Sequence, residues 1–336
     1  MAKPTIGILM PGDMGHGCGK AFVNHDFKVI SCLNDRSVRT KKLAKSAGIE
    51  DVETIHNVVK SADIILSILP PEKALEQSRI VNDVILEFKK KKTYVDCNAI
   101  SPKTANKINE TIASSFCNFI DAGIIGLNPI IEKGNTRLFV SGPNTNPIKI
   151  LDGHGFIIKD LGKEIGKASA MKMIYASATK GTFALHAAVL TAAHKLNLSS
   201  EYFEELQYSK PDMLAAMERM VPRIPLDAAR WKGEMLEIAD TFSEIGITPK
   251  FHLGSAEIMD LADKTPIAKE TMTAQILNCI DKTLAPKGTA ILIDAEHHCM
   301  TTRGVLKNNV TMTTNQFSGC FLEDVNLQDR FIKMAT

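Results

Sequence analysis

The sequence predicts an α/β fold: a doubly wound sheet, then an all-α helical domain, then a small α+β fragment. Three observations carry that reading. Apolar runs of strand length alternate with amphipathic stretches up to about residue 152, a long alanine-rich stretch follows, and the composition shifts again near Glu270. Strands alternating with helical stretches of ten or more residues argue for a parallel sheet covered on both faces. The expected boundaries are 1–152, 165–268 and 270–336.

The chain opens on IGILMPGDMG at 6–15, where a short apolar run meets Pro11, Gly12 and Gly15. A helical pattern begins by Lys20–Val23, and Phe27–Leu33 reads as a second strand ending in Asn34-Asp35-Arg36-Ser37. This is the grammar of a βαβ unit that binds a dinucleotide, with glycines letting backbone approach a pyrophosphate at a helix N-terminus. Met10 stands in the first glycine place, so an ordinary glycine-rich turn is the competing reading. At the end of the second strand an acid suits the ribose of NAD and an arginine the 2′-phosphate of NADP. Asp35 and Arg36 sit side by side; Arg39, Lys41 and Lys42 tilt the expectation to NADP, with NAD kept open.

Ile55–Ala62 reads as a short helix, Asp63–Leu69 as a strand stopped by Pro70-Pro71, and Ala74–Lys91 as an amphipathic helix. Thr93–Asp96 is a further strand with the exit loop Cys97–Pro102, a helix runs to Ser115, and Phe119–Ile125 and Leu138–Ser141 close the set. Ligands of such sheets lie outside the carboxyl ends of the strands. Pro11, Gly12, Met14, Gly15, Asn34, Arg36, Ser37, Leu69, Pro70 and Asn98 are therefore the candidate cofactor-binding residues.

A linker is expected around Gly153–Gly166, and Ser169–Leu196 reads as a long helix, apolar over much of its circumference. Glu201–Leu206, Lys210–Met220, Leu226–Ile245 and Gly254–Ala262 continue the helical pattern. Lys172 lies among Ala170, Met171, Met173 and Ile174. It either lays its stem along apolar surface or is partly desolvated and able to exchange a proton. Lys180 lies a little over two turns on, where it could bind a substrate anion.

In 336 residues, 44% hydrophobic and 23% charged, there is enough apolar material for a sizeable core in two or three domains. A net charge of +2 gives no reason to expect nucleic acid or an anionic membrane as partner. The seven scattered cysteines form no CxxC and suggest reduced thiols in a cytoplasm. The first strand begins by residue 5, so no signal peptide is expected, and no apolar run approaches the ~20 residues of a membrane span.

With these motifs on the page, the chain resembles the 6-phosphogluconate/β-hydroxyacid dehydrogenase superfamily over about residues 3–268. The resemblance rests on IGILMPGDMG, DCNAISP at 96–102, DAGIIG at 121–126, TRLFVSGP at 136–143, SAMKMIYASATKG at 169–181 and RWKGEMLEIADTF at 230–242. It implies a Rossmann-type domain, a helical domain that forms a homodimer, and hydride transfer between NADP (or NAD) and a small hydroxyacid-like substrate. Lys172 takes the place of the proton donor and acceptor. Two departures stand out: the superfamily's Ser-Gly-Gly substrate loop is replaced near Ile124-Ile125-Gly126, and its asparagine four residues after the lysine is Ala176. Ile125, Gly126 and Lys180 are the remaining substrate-site candidates.

From about Glu270 the text resembles the C-terminal part of GTP cyclohydrolase I, chiefly through EHHCMTTRG at 296–304. The resemblance implies a zinc ligand at Cys299 and pocket residues at Glu270, His297 and Arg303. A catalytic zinc needs three protein ligands, and the upstream segment that supplies the others occurs nowhere in this chain. Zinc is therefore not expected. The alternatives are a zinc hydrolase acting on GTP, or a non-catalytic tail that pairs by its strands with complete GTP cyclohydrolase subunits.

Overall fold

The computed structural model describes residues 3–113, 116–264, 270–296 and 311–335. The chain divides into two compact units, Met1–Thr182 with Arg230–Ala256, and Phe183–Ala229 with Glu257–Thr336.

The first unit is built on an eight-stranded sheet. Its strands are β1 (Ile6–Leu9), β2 (Val29–Ser31), β3 (Glu50–Asp51), β4 (Ile64–Ser67), β5 (Lys92–Asp96), β6 (Cys117–Ile125), β7 (Thr136–Ser141) and β8 (Phe156–Asp160). They lie in the order β3-β2-β1-β4-β5-β6-β7-β8. Neighbours are parallel except β6 and β7, which pair antiparallel from Asp121↔Ser141 to Ile125↔Arg137. The central strands are buried on both faces, which is why they read as continuous apolar runs. Ile6, Ile8, Ile64, Leu66, Val95, Ile120 and Ile124 fill one core, while Leu9, Ile65, Tyr94 and Phe119 fill the other.

Helices α1 (Asp13–Val23), α2 (Val38–Ala47), α3 (Ile55–Ser61), α4 (Ala74–Phe88) and α5 (Pro102–Ile112) follow the first five strands. Their starts are capped as local chemistry demands: the hydroxyls of Ser37, Thr54 and Ser101 accept from the amides of Thr40, Asn57 and Thr104. Helix α1 begins at Asp13, seven residues before the expected pattern. Gly15, Gly17 and Gly19 weaken helix propensity but let the helix press on its neighbours. A Cβ at Gly19 would stand 2.6 Å from Ile49, and one at Gly17 would stand 2.6 Å from Asn128.

The expected linker at 153–166 contains β8, which pairs in parallel with β7 through Thr136↔Phe156 to Val140↔Asp160. Glycines at 153, 155 and 162 with positive φ bracket this five-residue strand, so turn signals mask it in the sequence.

Helix α6 (Lys167–Lys195) crosses from the first unit into the second. After it come α7 (Ser199–Ser209), α8 (Pro211–Met220), α9 (Ile224–Glu244) and α10 (Lys250–Lys264). In the second unit Leu206, Leu214 and Met217 form a small core with Val189, Leu190, Tyr202 and Phe203. Its remaining described elements are α11 (Glu270–Leu284), the antiparallel pair β9 (Ala290–Glu296) and β10 (Thr311–Phe317), and helices α12 (Cys320–Glu323) and α13 (Val325–Ala335). Asp281 on α11 accepts from the hydroxyls of Thr289 (2.6 Å) and Ser318 (3.0 Å), tying the helix to both strands' ends. Phe317 stacks on Phe321, and Phe331 meets both edge-to-face, with centroids 6.0–6.3 Å apart. Among the described residues no helix is long and apolar enough to cross a membrane.

Candidate active site

The carboxyl edge of the sheet gathers the candidate residues of the first unit. Between β1 and α1 the chain turns through Met10, whose φ of 63° lies in the left-handed region that favours glycine. The side chain at the first glycine place thus tolerates a backbone conformation that glycine would adopt freely. Pro11 is buried, and Gly12 donates its amide to Met10 O at 2.9 Å and begins α1 with no side-chain cap. The amides of the first helical turn therefore keep the anion-binding character of a helix start. A Cβ at Gly12 would meet nothing within 4 Å, whereas one at Gly15 would stand 2.8 Å from Met10 O. Gly12 leaves space above the turn and Gly15 closes strand against helix. Met14 packs on the core beneath.

Off β2, Asn34-Asp35-Arg36-Ser37 forms a turn in which Asp35 takes φ 58° and Arg36 N donates to Leu33 O. Asn34 and Ser37 are exposed, and Ser37 is spent as the cap of α2. Arg36 is half-buried, and its Nε has no hydrogen-bond partner. Buried donors of this kind are uncommon and mark a place for an acceptor. Arg39 instead pairs with Asp13 at 2.5 Å across the turn.

Just after β5, Asn98 is 2% exposed, and its side chain is fully used. Its Oδ1 accepts from Leu69 N at 2.5 Å, and its Nδ2 donates to Ser67 Oγ at 3.0 Å and to Asp96 Oδ2 at 2.9 Å. Asn98 thereby fixes the Leu69-Pro70 loop, and its amide group points into the protein. Burial lifts the Asp96 carboxyl to about 7, against the hydrogen bonds Asn98 gives it.

Helix α6 is anchored by a residue whose role the sequence did not reveal. Asp121 on β6 is fully buried and accepts from Gly166 N, Ala168 N, Ser169 N, Ser169 Oγ and Ser141 Oγ at 2.5–3.1 Å. A carboxylate at a helix N-terminus answers both the orphan amides and the dipole. Two residues on, a Cβ at Gly123 would lie 2.9 Å from Lys172 Cβ and from Ala168 O, so β6 and α6 meet at van der Waals limit only because Gly123 has no side chain.

That contact places Lys172. Its Nζ donates to Ile124 O at 2.5 Å, at the carboxyl end of β6. Burial, and then the like charge of Arg230, lower its ammonium to about 8. Ile125 is 2% exposed, and Gly126, at φ 119°, turns the chain out of the strand. The following Asn128 donates to Asp13 O at 3.2 Å, which sets this loop beside the first turn of α1. Lys180 lies further along α6. It pairs with Glu234, which is 2% exposed, and its ammonium lies 5.7 Å from the centre of the Trp231 ring. On the helix of Glu234, Glu237 accepts from Ser101 N at 2.7 Å and Thr104 Oγ1 at 2.9 Å, binding α9 to the exit loop of β5.

A glycine-rich turn at a helix start, an arginine following β2 and a buried lysine on α6 bonded to the end of β6 thus lie at the carboxyl edge of one sheet. The family described as the NAD binding domain of 6-phosphogluconate dehydrogenase matches residues 5–164. An uncharacterised 28.5 kDa protein of Methanothermus fervidus is 33% identical over 202 residues, 60% of this chain and 76% of that protein. The chain belongs to the 6-phosphogluconate dehydrogenase-like family of NAD-binding proteins.

A domain of unknown function (DUF1932) matches residues 193–261 of this family member. Among solved structures, conserved protein MTH1747 of unknown function, described as structurally similar to 3-hydroxyacid dehydrogenases, is 28% identical at TM-score 0.57. The match covers 77% of this chain and 96% of that one. The fold is thus that of an NAD(P)-binding hydroxyacid dehydrogenase.

GTP cyclohydrolase I matches residues 255–336. GTP cyclohydrolase 1 of Hyphomonas neptunium is 48% identical over 80 residues, 24% of this chain, and the match spans only 39% of that enzyme. Glu270 opens α11, while His297, Cys299 and Arg303 lie outside the described residues.

Proposed function

We propose that the chain is an NADP-preferring oxidoreductase acting on a small hydroxyacid-like substrate, with Lys172 as proton donor and acceptor. The observation that carries this is the Lys172 ammonium, held at Ile124 O and lowered to about 8. An amine with that value gives and takes a proton near neutral pH, as a general acid–base requires.

The residues of the edge fit the cofactor. Gly12 leaves room for a pyrophosphate at the start of α1, and the unmatched Arg36 Nε is a donor suited to a 2′-phosphate. When bound, the nicotinamide supplies or accepts the hydride. Lys172 gives its proton to the oxygen of the reduced carbon, or takes the hydroxyl proton in the oxidative direction. Asp121 and Gly123 keep that amine in place, and Asn98 keeps the Leu69–Pro70 loop in place.

Thermal melting with NADPH and NADH tests the reading, since a ligand of the native state raises the midpoint by mass action. NADPH is expected to stabilise the chain at lower concentration than NADH. Arg36→Ala removes a charge-assisted contact and is expected to weaken NADPH by roughly 10-fold or more while leaving NADH nearly unchanged. No stabilisation by either dinucleotide would end the proposal; equal losses for both would end the NADP preference.

The 48% identity of the last segment to a GTP cyclohydrolase favours one second reading, a tail that pairs by strands with complete GTP cyclohydrolase subunits. Co-purification of such subunits with the chain supports it, and a tail whose removal leaves every assembly unchanged contradicts it.

A further inference from the structure

Two carboxyl groups lie side by side beneath the carboxyl edge, and the proposed proton transfer uses neither. Asp96 ends β5 and Asp121 lies on β6; both are 0% exposed. They are register partners on adjacent parallel strands, so their side chains leave the same face of the sheet. The two are unequally provided with donors. Asp121 accepts from Ser141 and from the chain at the start of α6 through five donors. Asp96 accepts from one residue: Asn98 N donates to Oδ1 at 3.0 Å and Asn98 Nδ2 to Oδ2 at 2.9 Å. Like charges on neighbouring strands, away from water, favour a proton on one of the two carboxyls, and the one with fewer donors takes it. The other groups facing Asp96 are Glu237 on α9 and the neutral Tyr94 and Cys97 of its own strand and exit loop, none of which offers a positive charge.

That proton has a connection to the cofactor side. Asn98 Oδ1 accepts from Leu69 N at 2.5 Å, and Asn98 Nδ2 also donates to Ser67 Oγ at 3.0 Å. Leu69 and Pro70 belong to the loop that leaves β4. Asn98 therefore links the Asp96 carboxyl to the Leu69 amide.

We infer that Asp96 is a positioning residue for the dinucleotide: its carboxylate fixes Asn98 and through it the Leu69–Pro70 loop, and the neutral acid releases that loop. The inference rests on the proposed role of this edge in cofactor binding, and it names a regulation of the same site.

The sense of the switch follows from what the loop changes. Asp96 lies between β4 and β6 in the sheet, an enclosure that stays when Leu69 moves, whereas the bonds from Asn98 do not. Hydrogen bonds made to a carboxylate lower its proton affinity, so losing Asn98 raises it. By reciprocity, losing the proton tightens the hold on Asn98 and on Leu69. An ionised acceptor binds roughly twice as strongly as a neutral one. Burial, and then the negative charge of Asp121, put the Asp96 midpoint at about 7, against the bonds from Asn98.

The test reads the loop before the cofactor. In the full-length chain, hydrogen exchange at the Leu69 amide is followed from about pH 5.5 to 8.5 and divided by that of the β1 amides, which cancels the chemical pH dependence of exchange. The relative rate is expected to fall by roughly 3–10-fold as pH rises through about 7. Asp96→Asn keeps the shape of the carboxyl and imitates only its neutral form, so Leu69 stays at the fast rate across the whole range. NADH, which carries no 2′-phosphate to titrate, should bind the unsubstituted chain roughly 3–10-fold more tightly above the midpoint than below it, and bind Asp96→Asn without that step. The Lys172 titration is common to both proteins and cancels in their comparison. The Leu69 step is read in the unsubstituted chain, so it stands even where Asp96→Asn fails to fold. No step at Leu69, a step in the opposite sense, or the same NADH profile in both proteins overturns the inference and leaves the proposed oxidoreductase standing. Binding of neither NADH nor NADPH at any pH ends the oxidoreductase first, and this inference with it.

Discussion

Lys172→Met is expected to lose nearly all turnover and yet to melt higher than the unsubstituted chain at neutral pH. Methionine keeps the length and apolar stem of lysine, so the packing against Gly123 survives. The activity loss follows from removing a positioned acid–base group, worth roughly 10²–10⁴-fold. The stability gain follows from linkage. Burial lowers Lys172 from 10.5 in the unfolded chain to about 8 in the folded one, so below pH 8 the folded state holds a proton it disfavours. Between about pH 8 and 10.5 the unfolded chain binds more protons than the folded one, and the stability of the unsubstituted chain rises with pH. Above that window the penalty is gone. At pH 7 the removed penalty is at most about 3 kcal/mol, from 1.36 kcal/mol per unit. The check is the melting difference between the two proteins at pH 7 and pH 10.5. A Lys172→Met chain that is less stable at pH 7, or a difference that ignores pH, would show that this lysine is an ordinary surface ammonium.

The second large effect is at Asp121. Asp121→Ala leaves the amides of Gly166, Ala168 and Ser169 and two hydroxyls without their acceptor in a fully buried place. Such a loss costs on the order of 3–5 kcal/mol. It also frees the start of α6, five residues ahead of Lys172, so cofactor-dependent activity should fall with it. Because the chain has two compact units, a single global transition is not assumed. Hydrogen exchange at the Ala168 and Ser169 amides is the direct readout. Exchange accelerated by 10²-fold or more relative to the β1 amides is expected (1.4 kcal/mol per tenfold). Unchanged protection would mean that α6 is held by packing alone.

Much of the fold was legible because its signals are local. The strands β1, β4 and β5 are continuous apolar runs, Ser37, Thr54 and Ser101 cap the helices that follow, and Gly12 and Gly15 mark the cofactor turn. The orientation of β7 was also within reach. Ten residues separate Ile125 from Thr136, shorter than the dozen or more that a parallel crossover needs, so the pair had to be antiparallel. What stayed hidden is tertiary. Asp121 gave no sequence sign that its carboxylate meets a helix start some 45 residues later. Helical spacing puts Lys180 on α6 but does not reveal Glu234 across from it on α9. Asn98 is expected at the cofactor from its loop, and the structure adds what the loop could not show, that its side-chain amide meets Leu69, Ser67 and Asp96.

The most direct measurement is a crystal structure of the full chain with NADPH bound. The account predicts the pyrophosphate on the amides at the start of α1, the 2′-phosphate on Arg36, and the Lys172 Nζ within about 3–3.5 Å of an atom seated at the reacting face of the nicotinamide. A nicotinamide lying away from the end of β6, with Lys172 still bonded to Ile124 O and remote from the ring, would contradict it.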